Sequence, residues 1–433
     1  MPKKDLPIVT ATLEKIVGGG QAMGTMEDGR KLFVWGGLPG ETVEVQLTKK
    51  KTKLAEGYVT SVIKASKERV EPHDPESFLS TSPWQIMSLA TEQTYKSALI
   101  KEAFDLHNVT LPNEVTLFTD GQEYEYRNKV EFSFWVDADT RQLDLAFFRR
   151  GTHGKIPIEG TSLAHPAINA AGQAIRDLLI KKGISGFDLK TLLIRCDAEG
   201  NVVAQLYVKT EEFRRPSDQD LKALPIKGFE LIFSNPKSPA SVITKTLFSW
   251  GDIVLSDTIL NIPFTYATEG FFQINLPVYT QALKDMKQWI PAEKSVVDLY
   301  SGVGSIGLTI GGNKVTLVEL NESAVREMKE NITALKRNSE ATAVLAASEK
   351  ALEYITSKDT IIVDPPRAGL HQDVVERLLS ELPERIIYLS CNPVTQARDI
   401  MLLGEHYEIK AHQGYNFFPR TPHIENLVIL DKK

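Results

Sequence analysis

The sequence predicts an α/β protein: a Rossmann-like, doubly wound parallel sheet in the carboxyl part, a mixed α+β region before it, and a small β-barrel at the amino end. Three observations carry this. Short, almost wholly apolar runs at 315–320, 360–363 and 385–390 read as strands buried on both faces. A further apolar run, beginning at Val297, breaks into a glycine-rich loop and then a helix. The first 63 residues instead show alternating segments punctuated by glycine.

At the amino end the alternating segments are 8–13, 31–35, 42–47 and 57–63, separated by turns such as Gly36-Gly37-Leu38-Pro39-Gly40. Short strands joined this way predict a barrel within residues 1–69. The chain carries a formal charge of −6, which argues against wholesale nucleic-acid binding. Residues 1–69, however, hold 12 Lys and Arg against 8 Asp and Glu, a surplus of +4 that leaves −10 for the remainder. Lys49, Lys50, Lys51 and Lys53 form a basic cluster that suits phosphate contacts and equally suits a solvated hairpin tip. Phe33 and Trp35 are candidates either for stacking on bases or for the barrel core.

Residues 70–265 show helical periodicity at 89–106 and 168–182 and strand-like runs at 129–136, 143–149, 192–196 and 202–209, which predicts a mixed domain with a sheet. Cys196 stands alone and reads as a buried strand residue.

From 266 onward the chemistry-bearing motifs gather. Val297-Asp298-Leu299-Tyr300-Ser301-Gly302-Val303-Gly304-Ser305-Ile306-Gly307 is a strand, loop and helix in which glycine lets the backbone approach a ligand. Glu319 ends the next apolar run, at about the ~20-residue distance from which a carboxylate reaches ribose hydroxyls. The pair points to a nucleoside-containing cofactor. In Thr360-Ile361-Ile362-Val363-Asp364-Pro365-Pro366-Arg367 the prolines stop a strand and hold Asp364 toward the same crevice. Tyr388-Leu389-Ser390-Cys391-Asn392-Pro393 places a cysteine where a strand opens onto a loop, a position for a nucleophile and also for a small buried hydrophobe. Asn416-Phe417-Phe418-Pro419-Arg420-Thr421-Pro422-His423-Ile424-Glu425 precedes a last strand, whose first residue, Glu425, taken alone would be a solvent-facing carboxylate.

The length of 433 residues fits two or three domains. No run of 18 apolar residues exists and Met1-Pro2-Lys3-Lys4-Asp5 lacks the apolar centre of a signal peptide, so a cytoplasmic protein without membrane association is expected. Two cysteines make no disulfide framework, and a catalytic thiol requires a reducing compartment.

Together with Phe271-Phe272-Gln273-Ile274-Asn275 and Tyr126-Arg127-Asn128-Lys129, these segments resemble the RNA uridine-5-methyltransferases that use S-adenosylmethionine, most densely between Gln273 and Glu425. The resemblance implies a class I methyltransferase domain over 266–433, a central domain over 70–265 whose first helix packs on the catalytic domain, and a TRAM barrel, an OB-like RNA-binding module, over 1–69. It implies Cys391 as nucleophile, Glu425 as base, and Gln273, Tyr300, Ser305 and Glu319 as cofactor contacts; Ser305 stands where some members have asparagine. Asp364 serves either the uracil edge or the cofactor. Uracil chemistry requires such a set, because C5 becomes nucleophilic only after a thiolate adds to C6, and the C5 proton must then be removed. A thiolate accessible near neutral pH is expected. The target base must lie outside any stack, with Phe417 and Phe418 as packing partners or core. Many members also carry four cysteines that hold an iron–sulfur cluster. Here the corresponding stretch, from His73 to Gln85 with Thr161-Ser162, has none, so no cluster is expected. A monomer acting on RNA is expected, ribosomal RNA ahead of transfer RNA; the alternatives are methylation of another base and an RNA-binding protein without activity.

Overall fold

A computed structural model describes residues 6–152, 154–239 and 241–433. Five strands, β1 (Ile8–Ile16), β2 (Ala22–Thr25), β3 (Lys31–Trp35), β4 (Thr42–Lys50) and β5 (Leu54–Lys64), close into a barrel in the order β1-β2-β3-β5-β4. Leu13, Leu32, Val34, Val43, Val45 and Leu47 fill it. β2, absent from the sequence expectation, is four residues long and contains a glycine, too short to show alternation. The exposed lysines lie at the tip of the β4–β5 hairpin, with Lys49 paired to Glu56 at 2.6 Å. Trp35 is half-buried beneath the Arg150 guanidinium, 4.2 Å from its ring centre, so it joins the barrel to the next domain.

A short strand, β6 (Leu117–Phe118), leaves the amino-terminal portion and ends up at the edge of the catalytic sheet. The central domain is a seven-stranded sheet built from β7 (Lys129–Val136), β8 (Leu143–Phe148), β9 (Lys155–Ile158), β10 (Leu189–Cys196), β11 (Val202–Val208), β12 (Gly228–Phe233) and β13 (Lys245–Gly251). Helix Pro166–Lys181 packs its Ile168, Ala171, Ile175 and Leu179 on it. The hairpin of β14 (Leu255–Ile259) and β15 (Ile262–Tyr266) shares an apolar cluster with the carboxyl domain. A boundary at 266 therefore cuts that hairpin from the core it helps to fill.

In place of cluster-ligating cysteines, the His73–Gln85 and Thr161–Ser162 stretches meet in a polar knot. Asp74 accepts hydrogen bonds from Gln85 Nε2 (3.0 Å), Thr161 Oγ1 (3.1 Å) and Ser162 Oγ (2.8 Å), and Gln85 Nε2 also donates to Ser82 Oγ (2.7 Å).

The carboxyl domain comprises β16 (Val296–Leu299), β17 (Val315–Glu319), β18 (Ala341–Leu345), β19 (Thr360–Val363), β20 (Arg385–Ser390), β21 (Tyr407–Tyr415) and β22 (Glu425–Lys432). With β6 they form one sheet in the order β18-β17-β16-β19-β20-β22-β21-β6, in which β16 to β20 are parallel and β22 runs antiparallel to both its neighbours. The order reverses between β16 and β19, which opens a crevice at the carboxyl ends of those strands. Helix Leu89–Leu106 lies against this domain, its buried Lys96 donating to Asn416 Oδ1 (2.7 Å) and to the Phe418 carbonyl (3.1 Å). Among the described residues no helix is long and apolar enough to cross a membrane.

Candidate active site

At the switch point a cavity of about 1420 Å³ gathers Gln273, Tyr300, Glu319, Asp364, Cys391 and Glu425. β16 turns sharply at its end: Tyr300 (φ 64°) and Gly302 (φ 56°) both adopt left-handed backbone before helix Ser305–Ile310 begins. Tyr300 bears this strain with a Cβ, at the mouth of the cavity. The three glycines divide the work. Gly302 lines the cavity; Gly304 caps the helix in the left-handed conformation; at Gly307 a Cβ would stand 2.4 Å from Leu317 Cδ2. Glu319, the last residue of β17, accepts the Gly302 N–H on Oε2 (2.9 Å) and the Asn321 N–H on Oε1 (2.7 Å). That fixes the carboxylate while leaving lone pairs toward the cavity. Phe271 and Leu320 line the same space and are each 69% exposed.

Gln273 sits on a loop that the central domain grips. Arg195, fully buried and stacked 4.5 Å from the Tyr266 ring centre, donates to the carbonyls of Gly270 and Phe272, both at 2.7 Å. Asn128 Nδ2 donates to the Gln273 carbonyl (3.1 Å) and Lys129 Nζ to that of Glu269 (2.8 Å). The Tyr126–Lys129 segment is thus a clasp on this loop, with Arg127 alone facing the cavity.

Cys391 follows β20 directly. Asn392 then caps helix Pro393–Leu403, its side chain accepting the Val394 N–H (3.2 Å), so Asn-Pro here starts a helix rather than a loop. The thiol is pushed up to about 11 by burial, then by the Glu425 and Asp364 carboxyls, with Arg367 opposing. The expectation of a thiolate near neutral pH is therefore corrected: this half-buried thiol faces two acids. Burial raises Asp364 to about 7, and burial followed by Asp364 raises Glu425 well above the usual carboxylate range, Arg367 opposing. Two acids that resist ionising together are suited to accept and pass on a proton.

A model of the tRNA (uracil-5-)-methyltransferase family matches residues 91–433, and one of the TRAM domain matches residues 8–60. The chain belongs to the tRNA (uracil-5-)-methyltransferase family. An RNA methyltransferase of Enterococcus faecalis is 31% identical over 93% of this chain and 92% of its own length. One from Nitratidesulfovibrio vulgaris is 27% identical, covering 98% and 95%. Among solved structures, the Pyrococcus abyssi tRNA (uracil-54, C5)-methyltransferase in complex with S-adenosyl-L-homocysteine shares the fold, with a TM-score of 0.78, 21% identity and coverage of 98% and 100%. As a family member the chain is an RNA (uracil-5-)-methyltransferase with a Rossmann-like catalytic domain and an amino-terminal TRAM barrel.

The structure also sorts residues that the motifs left together. Ser305 does not line the cavity; its hydroxyl hydrogen bonds to that of buried Tyr279 at 2.8 Å. Phe417 is core, edge-on to Tyr279, whereas Phe418 lines the cavity. Two polar residues that line the cavity, Arg367 and His423, carry no site signal in the sequence, and a third, Arg127, lies in a segment that the sequence does mark. Asp298 was detectable as a lone acid within the apolar run that forms β16; it accepts the Gly307 N–H (2.9 Å), and burial raises it to about 8. Arg367 and His423 adjoin Asp364 and Glu425 in sequence, and nothing in the sequence shows that they meet.

Proposed function

We propose that this family member methylates C5 of a specific uridine in RNA, through a covalent bond between Cys391 and C6 of the uracil, with S-adenosylmethionine as methyl donor. The observation that carries the reading is the single cavity shared by the thiol, the two raised carboxyls and the Glu319 loop. The residues present fit the cofactor. Glu319, held by two backbone amides, would accept the ribose hydroxyls, Phe271 and Leu320 would offer apolar surface to the adenine, and Tyr300 and Gln273 would hold the remainder. When bound, S-adenosylmethionine supplies an electrophilic methyl group.

Cys391 gives up its thiol proton to solvent, and the thiolate then adds to C6 and turns the uracil into an enolate with density at C5. After methylation Glu425, buried at the cavity, accepts the C5 proton, and the thiolate departs. Asp364 shares that proton and holds the uracil edge. Arg367, which opposes burial and the two acids, favours the thiolate form of Cys391. Ribosomal RNA is the first target reading; transfer RNA is the second, favoured by the family's own name.

The test is nucleoside mass spectrometry of unmodified ribosomal and transfer RNA transcripts, incubated separately with S-adenosylmethionine and either the parent protein or Cys391→Ala. 5-Methyluridine from the parent alone is expected, and the productive RNA assigns the target. Equal product from both proteins, or methylated cytidine or adenosine, overturns the mechanism.

A further inference from the structure

His423 is a titratable group at the reacting centre that the mechanism above does not use. It lies two residues before Glu425, and both side chains line the cavity while Ile424 between them is buried in the opposite core. Its ring stands edge-on to Phe418, with ring centres 5.7 Å apart and planes at 79°, so its orientation is fixed by packing.

Its tautomer is fixed as well. Arg367, on the loop after Asp364, places Nη2 2.9 Å from His423 Nδ1. A guanidinium has donors and no acceptor, so Nδ1 must offer its lone pair. A neutral imidazole in that bond carries its proton on Nε2. Burial, followed by the positive charges of Arg367, Arg127, Lys96 and Arg150, holds His423 down to about 4, so the neutral ring persists through the physiological range. Among the described residues Nε2 has no hydrogen-bond partner. The result is a neutral, oriented N–H donor on a ring that lines the same cavity as Cys391 and Glu425, with no acceptor for it among the described residues.

We propose that His423 Nε2–H donates a hydrogen bond to O4 of the target uracil and stabilises the enolate formed when Cys391 adds to C6. This rests on the reading of the cavity given above. In the addition step the sulfur–C6 bond forms, the C5=C6 electron pair moves between C5 and C4, and the C4=O4 pair moves onto O4. No proton leaves His423, and the flow reverses as C5 takes the methyl group. A preorganised donor aimed at developing negative charge is worth far more there than to the uncharged carbonyl. It also selects the base: uracil presents an acceptor at C4, whereas cytosine presents an amino group, a second donor facing the first.

The test compares His423→Phe, which keeps a flat ring without a donor, with His423→Gln, which keeps a side-chain N–H. The substrate is a pool of unmodified ribosomal and transfer RNA transcripts with saturating S-adenosylmethionine. His423→Phe is expected to lower kcat on the order of a hundredfold, with KM for RNA within about threefold of the parent. His423→Gln is expected to recover about tenfold of that loss. Calorimetric binding of S-adenosylhomocysteine by each variant reports that it is folded. In the parent protein, ¹⁵N spectra of labelled histidine are expected to show His423 with Nε2 protonated and Nδ1 bare. Unchanged kcat in His423→Phe, no recovery by His423→Gln, or an Nδ1-protonated ring overturns the proposal while leaving uridine methylation intact. No 5-methyluridine from the parent overturns both.

Discussion

The proposed nucleophile, Cys391, is held quiet at rest. Its thiol, lifted from 9.0 to about 11, holds roughly a hundredfold less thiolate at neutral pH than an unperturbed one. Iodoacetamide at pH 7.5 should therefore label Cys391 about a hundredfold more slowly than a free thiol, read by peptide mass spectrometry. Glu425→Gln removes a carboxyl that raises the thiol and should speed the labelling; equal rates would show that the carboxyl does not act on the thiol. Asp298 offers a second residue-scale test. Its folded-state value, about 8, lies above the ordinary 3.8, so the folded protein binds the proton more tightly than the unfolded chain. Its contribution is fully present below about 3.8 and is lost as pH rises through about 8. Asp298→Asn keeps an acceptor for the Gly307 N–H and cannot ionise. It should raise the melting temperature at pH 8 by about 2–4 °C, with no gain at pH 4, measured by calorimetry at both values.

At the scale of the element, the glycine loop after β16 separates packing from binding. A methyl group at Gly307 meets Leu317 at 2.4 Å and Asp298 Oδ2 at 2.9 Å, whereas at Gly302 the nearest atom is Phe271 Cδ1 at 3.9 Å. Gly307→Ala should destabilise the protein by about 1–3 kcal/mol in denaturant titration. Gly302→Ala carries only the left-handed backbone cost, about 1–2 kcal/mol, and should mainly weaken calorimetric binding of S-adenosylhomocysteine. The sequence made the parallel strands readable for a physical reason. Runs such as Thr360–Val363 and Arg385–Ser390 are buried on both faces, so they are continuous in apolar residues and end at the motifs. Their ends locate Asp364 and Cys391 without coordinates. Ser305 and Gly304 resisted such reading because their roles depend on contacts with Tyr279 and Met328, more than twenty residues away in sequence. Phe417 and Phe418 are neighbours of identical chemistry, and only the direction of each side chain separates core from cavity. The raised thiol was illegible for the same reason, since it is set first by burial and then by Glu425 and Asp364, which other strands supply.

At the scale of the whole molecule, the loop from Asn416 to Ile424, which aims Phe418, His423 and Glu425, is gripped by the other parts of the chain. Glu92 and Lys96, both fully buried on helix Leu89–Leu106 and paired at 2.8 Å, hold Asn416, the Arg420 N–H and the Phe418 carbonyl. Tyr126, just ahead of the central sheet, donates to the Pro419 carbonyl (3.0 Å). The barrel contributes Gly20, whose carbonyl accepts the Trp84 indole N–H (2.9 Å) and whose Cα faces Pro422 so closely that a Cβ would stand 2.1 Å from Pro422 Cβ. A barrel residue therefore touches the loop that carries the proposed base, and this contact can be tested apart from RNA binding. Gly19 and Gly20 both have φ 90°, but at Gly19 a Cβ meets nothing within 4 Å. Alanine at either position bears the same backbone cost, about 1–2 kcal/mol; only at Gly20 does it push on Pro422. Gly20→Ala should lower kcat by about tenfold or more, with RNA affinity close to that of Gly19→Ala, while Gly19→Ala keeps the parent kcat. Equal kcat in the two variants would mean that the barrel only delivers RNA. A deficit confined to Gly20→Ala would mean that barrel docking also sets the position of Glu425.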